Sequence, residues 1–100
     1  MTINQVINVV KENDPQADTE LLQLAYDFAE KAHHGQKRMT GEPYIQHSLH
    51  TAFLLAQIKT DLTTVIAGLL HDVPEETKTT LEEIEKDFGP DVAHLVKGIT

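Results

Sequence analysis

His71 and Asp72 stand side by side where an apolar run ends, and two more carboxylates, Glu75 and Glu76, follow within one helical turn. A buried polar group without a partner costs roughly 2–7 kcal/mol, so an imidazole and a carboxylate closing a buried helix need compensation. A divalent metal ion supplies it. His47, upstream on a second helical segment, can offer another nitrogen ligand. Neutral imidazole with carboxylate suits Mn²⁺, Fe, Zn²⁺ or Mg²⁺, and ligand type alone does not choose among them. A metal beside a free carboxylate is equipment for hydrolysing a phosphoanhydride or phosphoester, with Glu75 or Glu76 accepting a proton from water or donating one to the leaving group. The Lys37-Arg38 loop could meet negative charge on such a substrate or stack on a base.

Each feature also has a plainer reading. His-Asp pairs are often solvated, Glu75-Glu76 could be an acidic turn ahead of Lys78, and His47 could be a half-buried histidine bonded to a neighbour. Context favours the metal: the pair directly follows Ala67-Gly68-Leu69-Leu70, and a third ligand is available. His50 reads as a surface or supporting residue and His94 as solvated. His33 and His34, closing the second helix, could satisfy its terminal carbonyls or favour its dipole.

Helices must position these groups, and the apolar spacing predicts six of them. The first covers residues 2–12, with Ile3, Val6, Ile7 and Val10 on one face and Thr2 as cap. The second runs from about Asp18 to His34, with Leu21, Leu24, Ala25, Phe28, Ala29 and Ala32 inward and Gly35 just past its end. After a polar loop from Gln36 to Pro43, Pro43 opens the first turn of a third helix through about Ile58, with Ile45, Leu49, Ala52, Phe53 and Ala56 inward. The fourth, capped by Thr60 or Asp61, runs from Leu62 to about Val73; it is apolar around most of its circumference and should be central. Pro74 should stop regular helix. Thr80-Leu81-Glu82-Glu83 reads as a capping box for a fifth helix that Gly89-Pro90 breaks. A sixth starts at Asp91 and still runs at Thr100, with Val92, Leu95, Val96 and Ile99 apolar. These four either pack back on the other helices or belong to a longer domain, and the second is the expectation. The fold class is all-α.

Composition narrows the function. Forty per cent of the 100 residues are hydrophobic, which suits one small globular domain. Sixteen acidic against eight basic residues give a formal charge of −8, which argues against nucleic acid or anionic membranes as partners. Without cysteine there is neither a disulfide framework nor a thiolate metal site. No segment approaches the ~20 apolar residues of a membrane span. The opening Met1-Thr2-Ile3-Asn4 lacks the basic start and apolar stretch of a secretory signal, so a cytoplasmic location is expected.

Four segments, in order and spacing, carry a resemblance: Ala32-His33-His34-Gly35-Gln36-Lys37-Arg38; Thr40-Gly41-Glu42-Pro43-Tyr44-Ile45-Gln46-His47; Leu69-Leu70-His71-Asp72-Val73-Pro74-Glu75-Glu76-Thr77; and Phe88-Gly89-Pro90-Asp91-Val92. Over residues 20–100 the chain resembles the N-terminal hydrolase domain of the Rel/Spo family, whose members make and degrade the alarmones ppGpp and pppGpp. The resemblance implies an all-helical HD fold holding one Mn²⁺ and removing the 3′-pyrophosphate to leave GDP or GTP. By motif it implies His47, His71 and Asp72 as metal ligands and Glu75 and Glu76 as the pair that activates or orients water. It also implies Arg38 as the contact to the guanine base, with Thr40 beside it, and gives Gly41 through Tyr44 the task of shaping the loop. The implied partners are a guanine nucleotide and, in the parent protein, a C-terminal synthetase domain.

Three departures stand beside that resemblance. The family usually has Glu-Asp where this chain has Glu75-Glu76, and a lysine where Met39 stands. Its remaining metal ligand, an aspartate on a later helix, lies past residue 100, so the hundred residues alone are expected to hydrolyse little or nothing. The alternative reading is a non-catalytic nucleotide-binding or regulatory domain of an alarmone synthetase.

Overall fold

The most apolar segment of the chain becomes the centre of the molecule. A computed structural model describes residues 1–99, with side chains through Gly98. Its helices are α1 (Ile3–Asn13), α2 (Thr19–Ala32), α3 (Tyr44–Gln57), α4 (Leu62–Leu70), α5 (Val73–Glu76), α6 (Leu81–Phe88) and α7 (Pro90–Ile99). In α4, Val65, Ile66, Ala67, Gly68, Leu69 and Leu70 are all buried. Helices α2, α3 and α7 pack directly against it, while α1 covers α2 and α3, and α6 covers α7. Among the described residues the only extended pairing is an isolated bridge between Lys37 and Pro43. The class is all-α, as expected.

Local chemistry sets most of the boundaries. Asp61 Oδ1 accepts from the Thr64 amide at 2.9 Å and caps α4. Asp18 caps α2 through the Leu21 amide, and Thr80 caps α6 through that of Glu83. The Gln5 side chain returns to the Thr2 amide at 2.8 Å at the start of α1. Gly89, at φ 93°, turns the chain between α6 and α7 in a conformation that disfavours any residue with a Cβ. Pro43 is the residue before α3 and not part of its first turn.

Two expectations need correction. Leu24 faces outward, 58% exposed, whereas Leu22 is fully buried and leads the inward stripe through Ala25 and Ala29. Leu22 and Leu24 are two residues apart, about 200° around a helix, so they cannot share a face. Helix α4 ends at Leu70 and not near Val73, and a short α5 follows that includes Pro74. The proline ring excludes a carbonyl four residues earlier, which is that of Leu70, yet fits the first turn of a new helix. Pro74 thus breaks the chain before itself and starts the next element. Val92 and Val96 of α7 are buried in the common core, with Leu95 packed against it. The expectations for the Ile99 side chain and Thr100 lie outside the described residues.

Candidate metal centre

The break before Pro74 is what presents the histidine-aspartate pair. His71 keeps right-handed helical angles (φ −60°, ψ −34°) as the residue closing α4, and Asp72 follows at φ −91°, ψ −7° before α5 starts. Both side chains therefore leave the end of the buried helix on one side. His47 approaches from the first turn of α3, the helix with the most extensive packing on α4. His47 Nε2 lies 3.4 Å and His71 Nε2 3.1 Å from Asp72 Oδ2. One ligand atom from each of the three residues falls within 4.8 Å of the others, close enough for a single ion to touch all three.

The donor set fits a cation on its own chemistry. His71 Nδ1 lies 2.7 Å from the Gly68 carbonyl, which can only accept, so that nitrogen carries a hydrogen and Nε2 is the atom turned to Asp72. A ring nitrogen 3.1 Å from a carboxylate oxygen needs positive charge between them, which a proton or a metal ion can supply. The His47 ring is pushed toward its neutral form, first by burial and then by the Arg38 guanidinium, against the opposing pull of Asp72. A neutral imidazole is the form that ligates. The three side chains are 14–29% exposed, so solvent reaches the cluster.

Tyr44, three residues before His47 and so on the same face of α3, completes the surround. Its ring meets His47 edge-on at 5.8 Å and stacks on His33 at 4.7 Å with planes 13° apart. Its phenol lies within electrostatic reach of Asp72; burial, then the charges of Asp72 and Glu76, keep it protonated to higher pH than usual. His33 corrects an expectation: its ring does not tend the terminal carbonyls of α2 but is 2% exposed beneath Tyr44, with Nδ1 2.7 Å from Gln36 Oε1. His50 and His94 are exposed, as expected.

The loop before α3 is a small hairpin. Arg38 N bonds Glu42 O at 2.9 Å, Gly41 N bonds Arg38 O at 2.8 Å, and Tyr44 N bonds Gln36 O at 3.0 Å. Arg38 lies close enough for its charge to act on His47 and Tyr44. Thr40 and Met39 are exposed at the loop tip. Glu75 and Glu76 are exposed on α5 and line a cleft of about 790 Å³ between α2 and the α5–α6 connection. Lys31, Gln36, Lys78, Glu83 and Asp87 also line that cleft, but His47, His71 and Asp72 do not. Sequence reasoning missed Tyr44, Gln36 and His33 as neighbours of the site; the i, i+3 spacing of Tyr44 and His47 was the available signal.

Comparison with known proteins gives the chain its relatives. A family profile described as an HD domain matches residues 25–100. The guanosine-3′,5′-bis(diphosphate) 3′-pyrophosphohydrolase of Aquifex aeolicus is 54% identical over 81 residues, which is 81% of this chain and 12% of that protein. The bifunctional (p)ppGpp synthase/hydrolase SpoT of Escherichia coli K12 is 42% identical over 99% of this chain and 14% of its own length. The probable GTP pyrophosphokinase of Mycobacterium leprae is 42% identical over 98% of this chain and 12% of its own. A solved structure described as a metazoan ortholog of SpoT that hydrolyzes ppGpp matches with a TM-score of 0.75 at 34% identity, over 80% of this chain and 47% of that one. The chain spans about an eighth of the length of these curated relatives.

Proposed function

The chain belongs to the HD-domain family, in its Rel/Spo branch, and from that membership we propose that it is the N-terminal part of the hydrolase domain of a cytoplasmic, Mn²⁺-dependent guanosine alarmone 3′-pyrophosphohydrolase. The observation that carries the proposal is the convergence of His47, His71 and Asp72 from two helices on one point. In this reading His47 and His71 hold the ion through Nε2 and Asp72 through Oδ2. The divalent cation, when bound, supplies Lewis acidity that polarises phosphoryl oxygens and acidifies water.

The remaining work falls to the chain. Water attacks the phosphorus attached to the ribose 3′ oxygen, and the bond between that phosphorus and oxygen breaks. One of Glu75 and Glu76 takes the proton that water loses, and the released 3′ oxygen gains a proton, leaving GDP or GTP and pyrophosphate. Arg38 offers a planar guanidinium face for the guanine base, with the Thr40 hydroxyl beside it. Tyr44 holds Asp72 in place through its phenol. The synthase activity in the names of its relatives supports a synthetase domain in the parent protein.

The test is pyrophosphate release from ppGpp by the full-length protein with Mn²⁺, against a His71→Ala variant. Release that vanishes in the variant supports the proposal. A folded wild-type protein that binds ppGpp without turning it over, unaffected by His71→Ala, would refute it.

A further inference from the structure

The acidic pair sits on a helix of four residues that the core holds at one end only, through buried Val73. Within α5 and its cap, the Glu76 amide bonds Asp72 O and the Thr77 amide bonds Val73 O. The Glu76 carbonyl is instead bound from 40 residues away, by the side-chain amide of Gln36. Gln36 is itself anchored, because its own carbonyl accepts from the Tyr44 amide at 3.0 Å at the base of the Arg38 hairpin.

The direction of each bond follows from what its atoms can do. A carbonyl only accepts, so the Gln36 nitrogen faces Glu76 and its oxygen faces His33. That oxygen only accepts, so the hydrogen of His33 is on Nδ1, 2.7 Å away. His33 Nε2 is buried with no partner, which an acceptor tolerates better than an N–H would. The stacked Tyr44 ring holds the imidazole in that orientation. With Nε2 buried and unpartnered, His33 presents its hydrogen from Nδ1 and so favours the amide orientation that points nitrogen at α5.

We propose that Gln36, oriented by His33, is a positioning residue that fixes the Glu75–Glu76 turn relative to the His47-His71-Asp72 cluster. The inference rests on the reading of Glu75 and Glu76 as the proton-handling pair. It gives Gln36 no contact with substrate or metal, so its loss acts on kcat and leaves KM and metal affinity in place.

The experiment uses the full-length protein. Gln36→Glu keeps the size and the acceptor for His33 but removes the donor to the Glu76 carbonyl; Gln36→Met removes both and serves if the first variant fails to fold. The expected result is a fall in kcat of about tenfold, with KM for ppGpp and Mn²⁺ affinity within twofold of wild type. In parallel, nitrogen NMR of the wild-type protein should find the His33 hydrogen on Nδ1, and Gln36→Met should abolish that preference. A hydrogen on Nε2 overturns the proposal whatever the activity. So does an unchanged kcat in folded variants of an active enzyme, or a loss shared equally by kcat and metal affinity. Wild-type protein inert toward ppGpp, with the His33 hydrogen on Nδ1, would instead sink the hydrolase reading, and the catalytic consequence of the clamp with it.

Discussion

Tyr44→Phe removes one oxygen and leaves the rest of the site in place, which makes it the sharpest probe of the metal centre. The ring can keep its stack on His33 at 4.7 Å and its edge contact with His47 at 5.8 Å. What disappears is the hydroxyl, whose interaction is with the Asp72 carboxylate. A hydrogen bond to a charged group contributes about 1.5–3 kcal/mol. Tyr44 and Asp72 are both half-buried, so solvent can replace part of that interaction and the lower end applies. About 1.4 kcal/mol is a factor of ten in affinity, so Mn²⁺ should bind roughly tenfold more weakly, in line with the effect of second partners on metal ligands. Titration calorimetry or Mn²⁺ electron paramagnetic resonance on this chain reads the affinity, with circular dichroism as the control for folding. Affinity within twofold of wild type in a folded variant would refute the argument that the phenol orients Asp72. A complete loss of binding would refute the magnitude, since it would mean that the hydroxyl is itself a ligand.

Other consequences can be checked on the same chain. Burial, then Arg38, holds the His47 pKa below the ordinary 6.5, so the unfolded state binds the proton more readily. Metal-free stability should thus be full above about pH 6.5 and fall as pH drops toward the folded-state value, and His47→Gln should lose this part of the slope in thermal melts from pH 7.5 to 5. Leu22→Ala should cost about 2–5 kcal/mol in denaturant unfolding, as for other buried leucines, while Leu24→Ala should stay within about 0.5 kcal/mol; equal effects would show that the stripe on α2 is misplaced. Asp61→Ala should cost about 1 kcal/mol through loss of the α4 cap. Its side-chain bond with Thr64 holds the Asp61 carboxyl below its usual 3.8, so the cap's contribution should be present above that value and fade as pH falls through the folded-state pKa, measured by chemical denaturation at several pH values.

What the sequence made legible, and what it hid, divide along the range of the interaction. Helix caps at Thr2, Asp18, Asp61 and Thr80 act over three residues, and each stands where local chemistry places it. The burial of α4 follows from an apolar circumference that no solvent-facing helix could carry. The phase of α2 was harder, because Leu21, Leu22 and Leu24 point in three directions and only the packing against α1 and α4 selects Leu22. His33 and Gln36 were harder still. A histidine at a helix end satisfies local rules as a dipole partner, and nothing within a turn of it announces that a tyrosine eleven residues later will cover it. The bond from Gln36 to Glu76 spans 40 residues and exists only because α2, α3 and α5 meet at one corner.

Pro74 shows how a local rule can have a distant result. Read alone, it ends a helix, and the expected end was the residue before it. The steric rule acts on the carbonyl four residues back, which is that of Leu70, so regular helix does not pass the proline and His71 and Asp72 fall in the turn between α4 and α5. Had α4 continued to Val73, the two side chains would project about 100° apart from a regular helix with less freedom to converge on one point. The same proline, accepted in the first turn of α5, carries Glu75 and Glu76 out on a new axis beside the pair. A Pro74→Ala substitution therefore tests the geometry more than the stability. It permits α4 to run on through His71 and Asp72, so metal affinity should fall although helical content by circular dichroism rises or holds. If instead affinity is unchanged while helicity rises, the break at Leu70 is not what brings His71 and Asp72 together, and the packing of α3 against α4 must do so by itself.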